Sequence, residues 1–201
     1  IELYKILDLK NFINLNKSIY LKEIFTLIFP EFENLHRLER LKKICKNLQI
    51  NRELLLAILL IDEKDSHEYF GHKYNLSNNI KDNINLLAKN FRILKENKNF
   101  FVKDLEKNIY LHDKNQLINL NILNFALNTK VKFKDFSETL KRILKSKTHR
   151  FTIDGQYLME NGMQQGLLIG TVLKAIEREW MKNNFSISKE RVKEIIRSYS
   201  N

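Results

Sequence analysis

The stretch FTIDGQYLMENGMQQGLLIGTVLKAIEREW, residues 151–180, contains four of the five glycines of the chain within an otherwise helical pattern of apolar residues. Each glycine inside a helix costs about 1 kcal/mol relative to alanine, so the cluster needs a structural or functional reason. Asp154 predicts the N-cap of a short helix through Glu160, and Gly162 falls where a left-handed C-cap is needed. We predict that the next helix begins at Gln164–Gly166, which makes the stretch a helix-turn-helix.

Gly166 and Gly170 lie four residues apart, so they share one face of that second predicted helix. Because glycine has no side chain, this face forms a strip where the backbone of another chain can approach closely. The approaching chain is either a neighbouring helix or the sugar-phosphate backbone of a nucleic acid. The sequence leaves both interpretations open.

Helical periodicity continues through the rest of the chain. Apolar residues recur at spacings near 3.6, and no sustained alternation of β-branched residues occurs. The sequence therefore predicts an all-α fold, a multi-helical array of about nine to eleven helices. The polar run KENKN, residues 95–99, is the best candidate for a boundary between a body-like subdomain, residues 1–98, and a tail-like subdomain, residues 99–201.

Three local patterns place helices in the first half of the chain. Ser18 is predicted to cap a helix that ends at Phe29, since Pro30 cannot continue it. Asn51 is predicted to cap the almost wholly apolar helix RELLLAILLI, which lacks a polar face and is therefore expected at the centre of the core. A third helix carries an apolar stripe with basic residues largely on its flank. The stripe is Leu35, Leu38, Leu41, Ile44 and Leu48, and the basic residues are Arg37, Arg40, Lys43 and Lys46.

The composition restricts the classes of protein to which the chain can belong. With 201 residues, of which 43% are hydrophobic, it can bury a sizeable core. No run reaches the ~18–20 apolar residues of a membrane span, so we expect a cytoplasmic protein without a membrane partner. The single cysteine, Cys45, is interpreted as a core thiol. Since residue 1 is isoleucine and the first methionine is Met159, we expect the polypeptide to extend upstream of Ile1.

The formal net charge of +11 favours a polyanionic partner such as nucleic acid. An AT-rich genome also encodes excess lysine regardless of function, which makes arginine the more informative residue. The segment 130–150 carries eight lysines and arginines against Asp135 and Glu138, and it ends just before the glycines. Basic side chains beside a helix start can receive a phosphate backbone through their charge and through free N–H groups. The structural alternative is a solvated amphipathic helix whose inward residues are Phe133, Phe136, Leu140 and Leu144.

The stretch IDEKDSHEYFGHKY, residues 61–74, mixes acidic residues with two histidines and invites a metal-site or phosphohydrolase interpretation. We interpret it instead as a solvated turn between helices. The adjacent His-Asp pair that such hydrolases need occurs only at His112-Asp113, without a partnering cluster. The sequence also lacks the G-x-x-x-x-G-K-[ST] phosphate loop and any Asp-x-Asp pair. We therefore predict no catalytic residue, no metal site and no cofactor in this chain.

The glycine-rich region resembles the C-terminal element of bacterial class II tRNA nucleotidyltransferases, the CCA-adding enzymes and their poly(A) polymerase relatives. The pattern of that element runs roughly G-x-D-L-x-x-x-G-x-x-x-G-x-x-I-G-x-x-L, and Tyr157 stands where it has aspartate. The matching positions are Gly155, Leu158, Gly162, Gly166, Ile169, Gly170 and Leu173. Two further segments, LIFPEFENLHRLERL and KYNLSNNIKDNINLL, resemble family segments in the same order. The resemblance therefore covers most of the chain.

The resemblance implies a division of labour between this chain and a catalytic domain. In that family an N-terminal head holds Gly-Ser and Asp-x-Asp motifs with two magnesium ions, so magnesium is expected only in the head. This chain resembles the all-helical body and tail, which hold the acceptor and T-arm of tRNA through the backbone. The resemblance implies a tRNA-binding region that is inactive alone, whether a head is joined to it in cis or supplied in trans.

The candidate RNA-binding residues combine basic positions with the four clustered glycines. They are Arg37, Arg40, Lys43, Lys141, Arg142, Lys145, Lys147, Arg150, Gly155, Gly162, Gly166, Gly170, Lys174 and Arg178. Two other functions stay open. One is a non-enzymatic helical adaptor whose glycine strip receives a helix of another protein. The other is a DNA binder that uses the glycine turn like a helix-hairpin-helix.

Overall fold

The computed structural model describes residues 2–9, 12–45, 48 and 50–200, and these residues form helices without any strand. The all-α prediction is therefore confirmed for them. Twelve α-helices are described, together with two short 3₁₀ segments, Phe12–Lys17 and Leu35–Arg37. The α-helices are α1 (Glu2–Leu7), α2 (Ile19–Ile28), α3 (Leu38–Leu41), α4 (Arg52–Leu60), α5 (Ser66–Lys73), α6 (Asn78–Glu96), α7 (Leu105–His112), α8 (Lys114–Leu127), α9 (Phe133–Lys145), α10 (Gly155–Glu160), α11 (Leu168–Lys182) and α12 (Lys189–Ser200).

The chain divides into two compact units, residues 1–146 and 147–201. The boundary predicted at 98/99 falls inside the first unit. The reason is that α8 lies beyond that boundary but packs against α4 and α6, which precede it. The polar run at 95–99 marks only the end of α6 and the turn that follows it.

The core of the first unit is built around α4. Every residue from Leu54 to Leu60 is buried, as expected for a helix that lacks a polar face. Asn51 caps this helix, because its Oδ1 accepts the N–H of Leu54 at 2.8 Å. The central position predicted for this helix is confirmed.

Local capping signals determine where several other helices begin and end. The Ser18 hydroxyl accepts the N–H of Leu21 at 3.3 Å, and α2 ends just before Phe29 and Pro30, as predicted. The stripe that begins at Leu35 does not form one long helix. It forms a 3₁₀ turn, the single turn of α3 and further turns, while its members Leu35, Leu38, Leu41 and Ile44 are all buried.

The second unit has its own small core. Helix α11 packs against both α10 and α12. The seven buried residues of this core are Leu158, Met163, Val172, Ile176, Val192, Ile195 and Ile196. Ser188 caps α12 as predicted, since its hydroxyl accepts the N–H of Arg191 at 3.1 Å.

Candidate nucleic-acid interface

Arg37, one of the predicted RNA-binding residues, makes hydrogen bonds to the backbone within the first unit. Its Nη1 donates to the carbonyls of Ile58 at 2.7 Å and Ile61 at 2.8 Å, at the C-terminal end of α4. Carbonyls at a helix end lack helical partners, so these two bonds satisfy them. Burial lowers the pKa of Arg37, and the nearby Asp62 carboxylate opposes that shift. The structure gives Arg37 the role of a helix cap.

Arg40 makes the equivalent contact at the end of α8. Its Nε donates to the carbonyl of Phe125 at 2.6 Å, and its Nη2 donates to Asn128 at 3.2 Å and to Val131 at 2.5 Å. The guanidinium also lies 4.4 Å from the centroid of the Phe125 ring, a cation–π contact. Lys43, by contrast, is exposed, and Lys46 lies outside the described residues.

The C-terminal half of α9 presents an exposed basic cluster. This α9 cluster consists of Lys141, Arg142 and Lys145, and none of the three forms an ion pair with any residue that the structure describes. The cluster borders an open depression of about 520 Å³, whose other lining residues are Leu105, Glu106, Glu138 and Ser146. Because these cations are solvated and unpaired, they are free to contact an anion.

The buried face of α9 differs in part from the predicted one. Phe136 and Ile143 are buried, and Leu140 packs against the core. Leu144, predicted to face inward, is 57% exposed, because it lies one residue past Ile143 and therefore turns toward solvent. Phe133 is 48% exposed but contacts the rings of Phe125 and Phe136.

A second exposed basic surface runs along α11. Gly170, Lys174 and Arg178 are exposed at four-residue intervals, and we call this set the α11 stripe. Neither of its cations forms an ion pair within the described part of the chain. The opposite face of the helix, with Val172 and Ile176, is buried. The α11 stripe thus combines an open backbone position with two free positive charges.

Lys147 and Arg150 are exposed in the segment that precedes α10. An aromatic contact that was not predicted from the sequence anchors this segment to the rest of the second unit. The His149 ring stacks on Phe185, with centroids 3.7 Å apart, and Phe151 contacts Trp180. The partners are more than 25 residues apart, so no local sequence signal indicates the contact.

The predicted turn between α10 and α11 is confirmed in its first half. Asp154 Oδ1 accepts the N–H of Tyr157 at 2.9 Å, which makes Asp154 the N-cap of α10. Gly162 has a φ of +96°, the left-handed conformation predicted for it. The N–H of Met163 closes this C-cap by donating to the carbonyl of Leu158 at 3.1 Å.

The second half of the turn differs from the prediction. Helix α11 begins at Leu168, so Gly166 lies in the turn before the helix and does not share a helical face with Gly170. The N-cap position of α11 is Leu167, whose side chain makes no capping bond, and the N–H of Ile169 donates to the carbonyl of Gly166 at 3.2 Å, which places Gly166 in the turn that leads into the helix. A Cβ at Gly166 or Gly170 would meet no atom within 4 Å, whereas a Cβ at Gly155 would lie 3.2 Å from Ile169 Cγ2. Close helix packing therefore occurs at Gly155.

Helix α12 shows a different use of arginine. Arg191 donates from Nε and Nη2 to the two carboxylate oxygens of Glu179, at 2.5 and 3.1 Å, and from Nη1 to Glu194 at 2.9 Å. The hydrogen bonds from Arg191 lower the pKa of Glu179. Because two carboxylates neutralise it, Arg191 contributes less free positive charge than Arg178.

The acidic stretch 61–74 is a turn only in its first part. Asp62 accepts the N–H groups of Lys64 and Ser66, at 2.9 and 3.1 Å, and the Ser66 hydroxyl at 2.6 Å. Burial opposes ionisation of Asp62, but these hydrogen bonds outweigh it and lower its pKa. From Ser66 onward the chain forms α5, and His67 is buried rather than solvated. Within the described residues, only Asp65, His67 and Glu68 gather three possible metal ligands.

A cavity of about 790 Å³, for which the sequence contains no signal, lies beside this turn. Its charged lining has both signs: Arg37, Arg92, Lys95 and Lys130 face Asp62, Glu63 and Asp65. Arg92 is bonded to Asp65, and Lys95 lies 3.6 Å from Glu63. Since these pairs neutralise much of the lining, the cavity is a weaker candidate for a phosphate backbone than the α9 cluster.

Comparison of the chain with protein-family models, with curated proteins and with solved structures gave no match in any of the three. The resemblance to tRNA nucleotidyltransferases therefore depends on the quoted sequence segments alone. Among the helices described, none is long and apolar enough to cross a membrane.

Proposed function

We propose that this chain is the tRNA-binding region of a CCA-adding nucleotidyltransferase or poly(A) polymerase. In this role it holds the acceptor and T-arm through the phosphate backbone, while a catalytic head adds nucleotides to the 3′ end. The head, with its magnesium ions, is joined in cis or supplied in trans, and the chain is inactive alone. Such a role places the protein in the cytoplasm with tRNA.

The observation that carries the proposal is the set of exposed cations that form no ion pair with any residue in the described ranges. Each unit has its own: the α9 cluster in the first, and Lys147, Arg150 and the α11 stripe in the second. Double-stranded RNA is recognised mostly by shape and by contacts to phosphates and 2′-hydroxyls, for which exposed, unpaired cations are suited. Arg37 and Arg40 are left out of the proposed contact set, because their guanidinium groups bond to backbone carbonyls.

The test is a mobility-shift titration of purified chain with tRNA over a range of salt concentrations. Arg142→Ala combined with Arg150→Ala removes two exposed arginines for which the described part of the chain offers no ion-pair partner. We expect the double variant to bind tRNA at least about tenfold more weakly, and the slope of log K against log salt to fall by about 2. Duplex DNA and a neutral polymer serve as competitors, and neither is expected to displace tRNA at equal concentration.

The matched control removes two arginines that are already paired. Arg52 lies 3.3 Å from Asp8, and Arg191 bonds to Glu179. Arg52→Ala with Arg191→Ala changes the net charge equally but is expected to leave tRNA affinity nearly unchanged. An equal loss in both double variants would mean that only net charge matters. Equal affinity for tRNA and the neutral polymer would contradict the proposal.

A second candidate function is supported by one observation at the start of α11. Leu167 is 99% exposed and Leu168 is 54% exposed, beside the open backbone of Gly166 and Gly170. This surface suits a helical adaptor that receives an apolar helix of another protein. Leu167→Lys separates the two functions: it abolishes an adaptor contact, whereas it leaves tRNA binding intact or strengthens it.

A further inference from the structure

Asp65, His67 and Glu68 bring three metal-ligating side chains together at the start of α5. One ring nitrogen of His67 and one carboxylate oxygen of each acidic residue all lie within 4.8 Å of one another. Asp65 precedes the first helical residue, but its side chain makes no capping bond to the helix backbone. Its carboxylate therefore does not cap the helix, which is the usual role of aspartate at this position.

His67 provides an independent indication of a ligand. His67 is only 4% exposed, and its Nδ1 makes no hydrogen bond to any described residue. Buried polar atoms in folded proteins nearly always have a partner, so an imidazole that is buried beside two carboxylates and has an unpartnered Nδ1 needs explaining. Imidazole nitrogen and carboxylate oxygen are ligands that divalent transition metals share.

The carboxylates have room to complete a coordination sphere. Donors on one tetrahedral zinc ion lie about 3.4 Å apart, so atoms that now lie within 4.8 Å of one another must move closer by up to about 1.4 Å. Glu68 is exposed and can rotate, and Asp65 is half-buried. Arg92 donates to Oδ1 of Asp65 and leaves Oδ2 without a described partner. The neighbouring guanidinium competes with a cation for Asp65, so it limits the affinity of the site.

From this geometry we propose that Asp65, His67 and Glu68 form a binding site for a divalent transition-metal ion of the zinc class, with water completing the coordination. The imidazole ligand distinguishes this ion from magnesium, which prefers six oxygen ligands in octahedral geometry. The proposal is independent of the tRNA-binding function, because it concerns a different surface and requires no nucleic acid. It revises the solvated-turn interpretation of this stretch.

The experiment is a calorimetric titration of the metal-stripped full chain with Zn²⁺ in excess Mg²⁺. We expect one zinc site per chain. Glu68→Gln should weaken it by about tenfold or more, since even the outer partners of metal ligands contribute 10- to 100-fold. Because Glu68 is exposed, this variant is expected to fold normally. His67→Ala should abolish the site, and circular dichroism will show whether that variant keeps its helices. Arg92→Gln should strengthen binding, because it frees Asp65.

Three control variants test for adventitious zinc binding. Glu63→Gln removes an exposed carboxylate of the same turn, His36→Ala removes an exposed histidine elsewhere, and Cys45→Ala removes the only thiol. All three are expected to bind zinc as the unmodified chain does. Unchanged affinity in Glu68→Gln, or loss of binding in Cys45→Ala, would overturn the proposal. Binding of Mg²⁺ in place of Zn²⁺ would overturn the assignment to the zinc class.

Discussion

Arg40 and Lys43 lie three residues apart on the same predicted basic flank, yet the structure uses them differently. The Arg40 guanidinium bonds to three carbonyls 85 to 91 residues further along the chain, while the Lys43 side chain is exposed. The sequence groups the two by charge and spacing, because both properties are local. Only the approach of the end of α8 separates a structural arginine from a free lysine.

Arg40→Ala tests this structural role. A hydrogen bond to a charged group contributes about 1.5–3 kcal/mol, and the three bonds of this half-buried guanidinium are not additive, because water replaces part of them in the variant; we therefore expect the free energy of unfolding to fall by about 2–4 kcal/mol. Lys43→Ala is the control and should change it by less than about 0.5 kcal/mol. Urea titrations followed by circular dichroism measure both. Similar stability in the two variants would show that the Arg40 bonds contribute little.

The glycines give a second comparison between residues of one type. Gly162 has a left-handed φ of +96°, so Gly162→Ala should lower stability by about 1–2 kcal/mol. Gly170 lies in a helix with open space around its Cα, so Gly170→Ala should raise stability by up to about 1 kcal/mol. Thermal denaturation of the two variants distinguishes these signs. A destabilising Gly170→Ala would contradict the open environment described for that position.

At the scale of whole elements, Glu31 links the C-terminal end of α5 to the segment that follows α2, in addition to the packing of α5 against α4 and α6. Lys73, at the end of this helix, donates to Glu31 Oε1 at 2.6 Å, and the Tyr74 hydroxyl donates to Oε2 at 3.1 Å. The pKa of Glu31 is lower than its ordinary value. Burial alone would raise it, but the hydrogen bonds from Lys73 and Tyr74 favour the ionised carboxylate and outweigh burial. The ionised carboxylate therefore stabilises the folded state.

This attachment predicts a pH dependence of stability. Because the pKa of Glu31 is lower in the folded chain, its contribution is fully present above the ordinary value of 4.5 and is lost as the pH falls through the folded pKa. Glu31→Gln should remove that part of the acid sensitivity. Urea titrations between pH 7 and pH 3 should therefore show a shallower acid decline in the variant. Parallel curves would argue against a lowered pKa.

At the scale of the whole molecule, the two units have separate hydrophobic cores. The buried core of the first unit runs from Leu3 to Ile143, and that of the second runs from Leu158 to Ile196. Helices α8 and α9 complete the first core, and both lie after the boundary at 98/99 that the sequence predicted. A piece of chain folds alone only if it retains its core.

Truncation distinguishes the two boundaries. A chain of residues 1–146 is expected to keep its helical circular dichroism and to unfold cooperatively, because its core is intact. A chain of residues 1–98 lacks α8, including the fully buried Leu117 and Leu123, and should be loosely packed or aggregated. Equal cooperativity of the two fragments would contradict the division at 146/147.

The sequence by itself determined the helical class, the burial of α4 and the caps at Ser18, Asn51, Asp154 and Gly162. Each of these depends on contacts within about one helical turn, or on the polarity of a single helix, and a linear pattern contains that information. The tertiary structure alone decided that Arg37 and Arg40 cap other helices, that α8 belongs with α4, and that His67 is buried beside Asp65 and Glu68. These outcomes depend on which distant segments pack together, and chain-local spacing does not specify that.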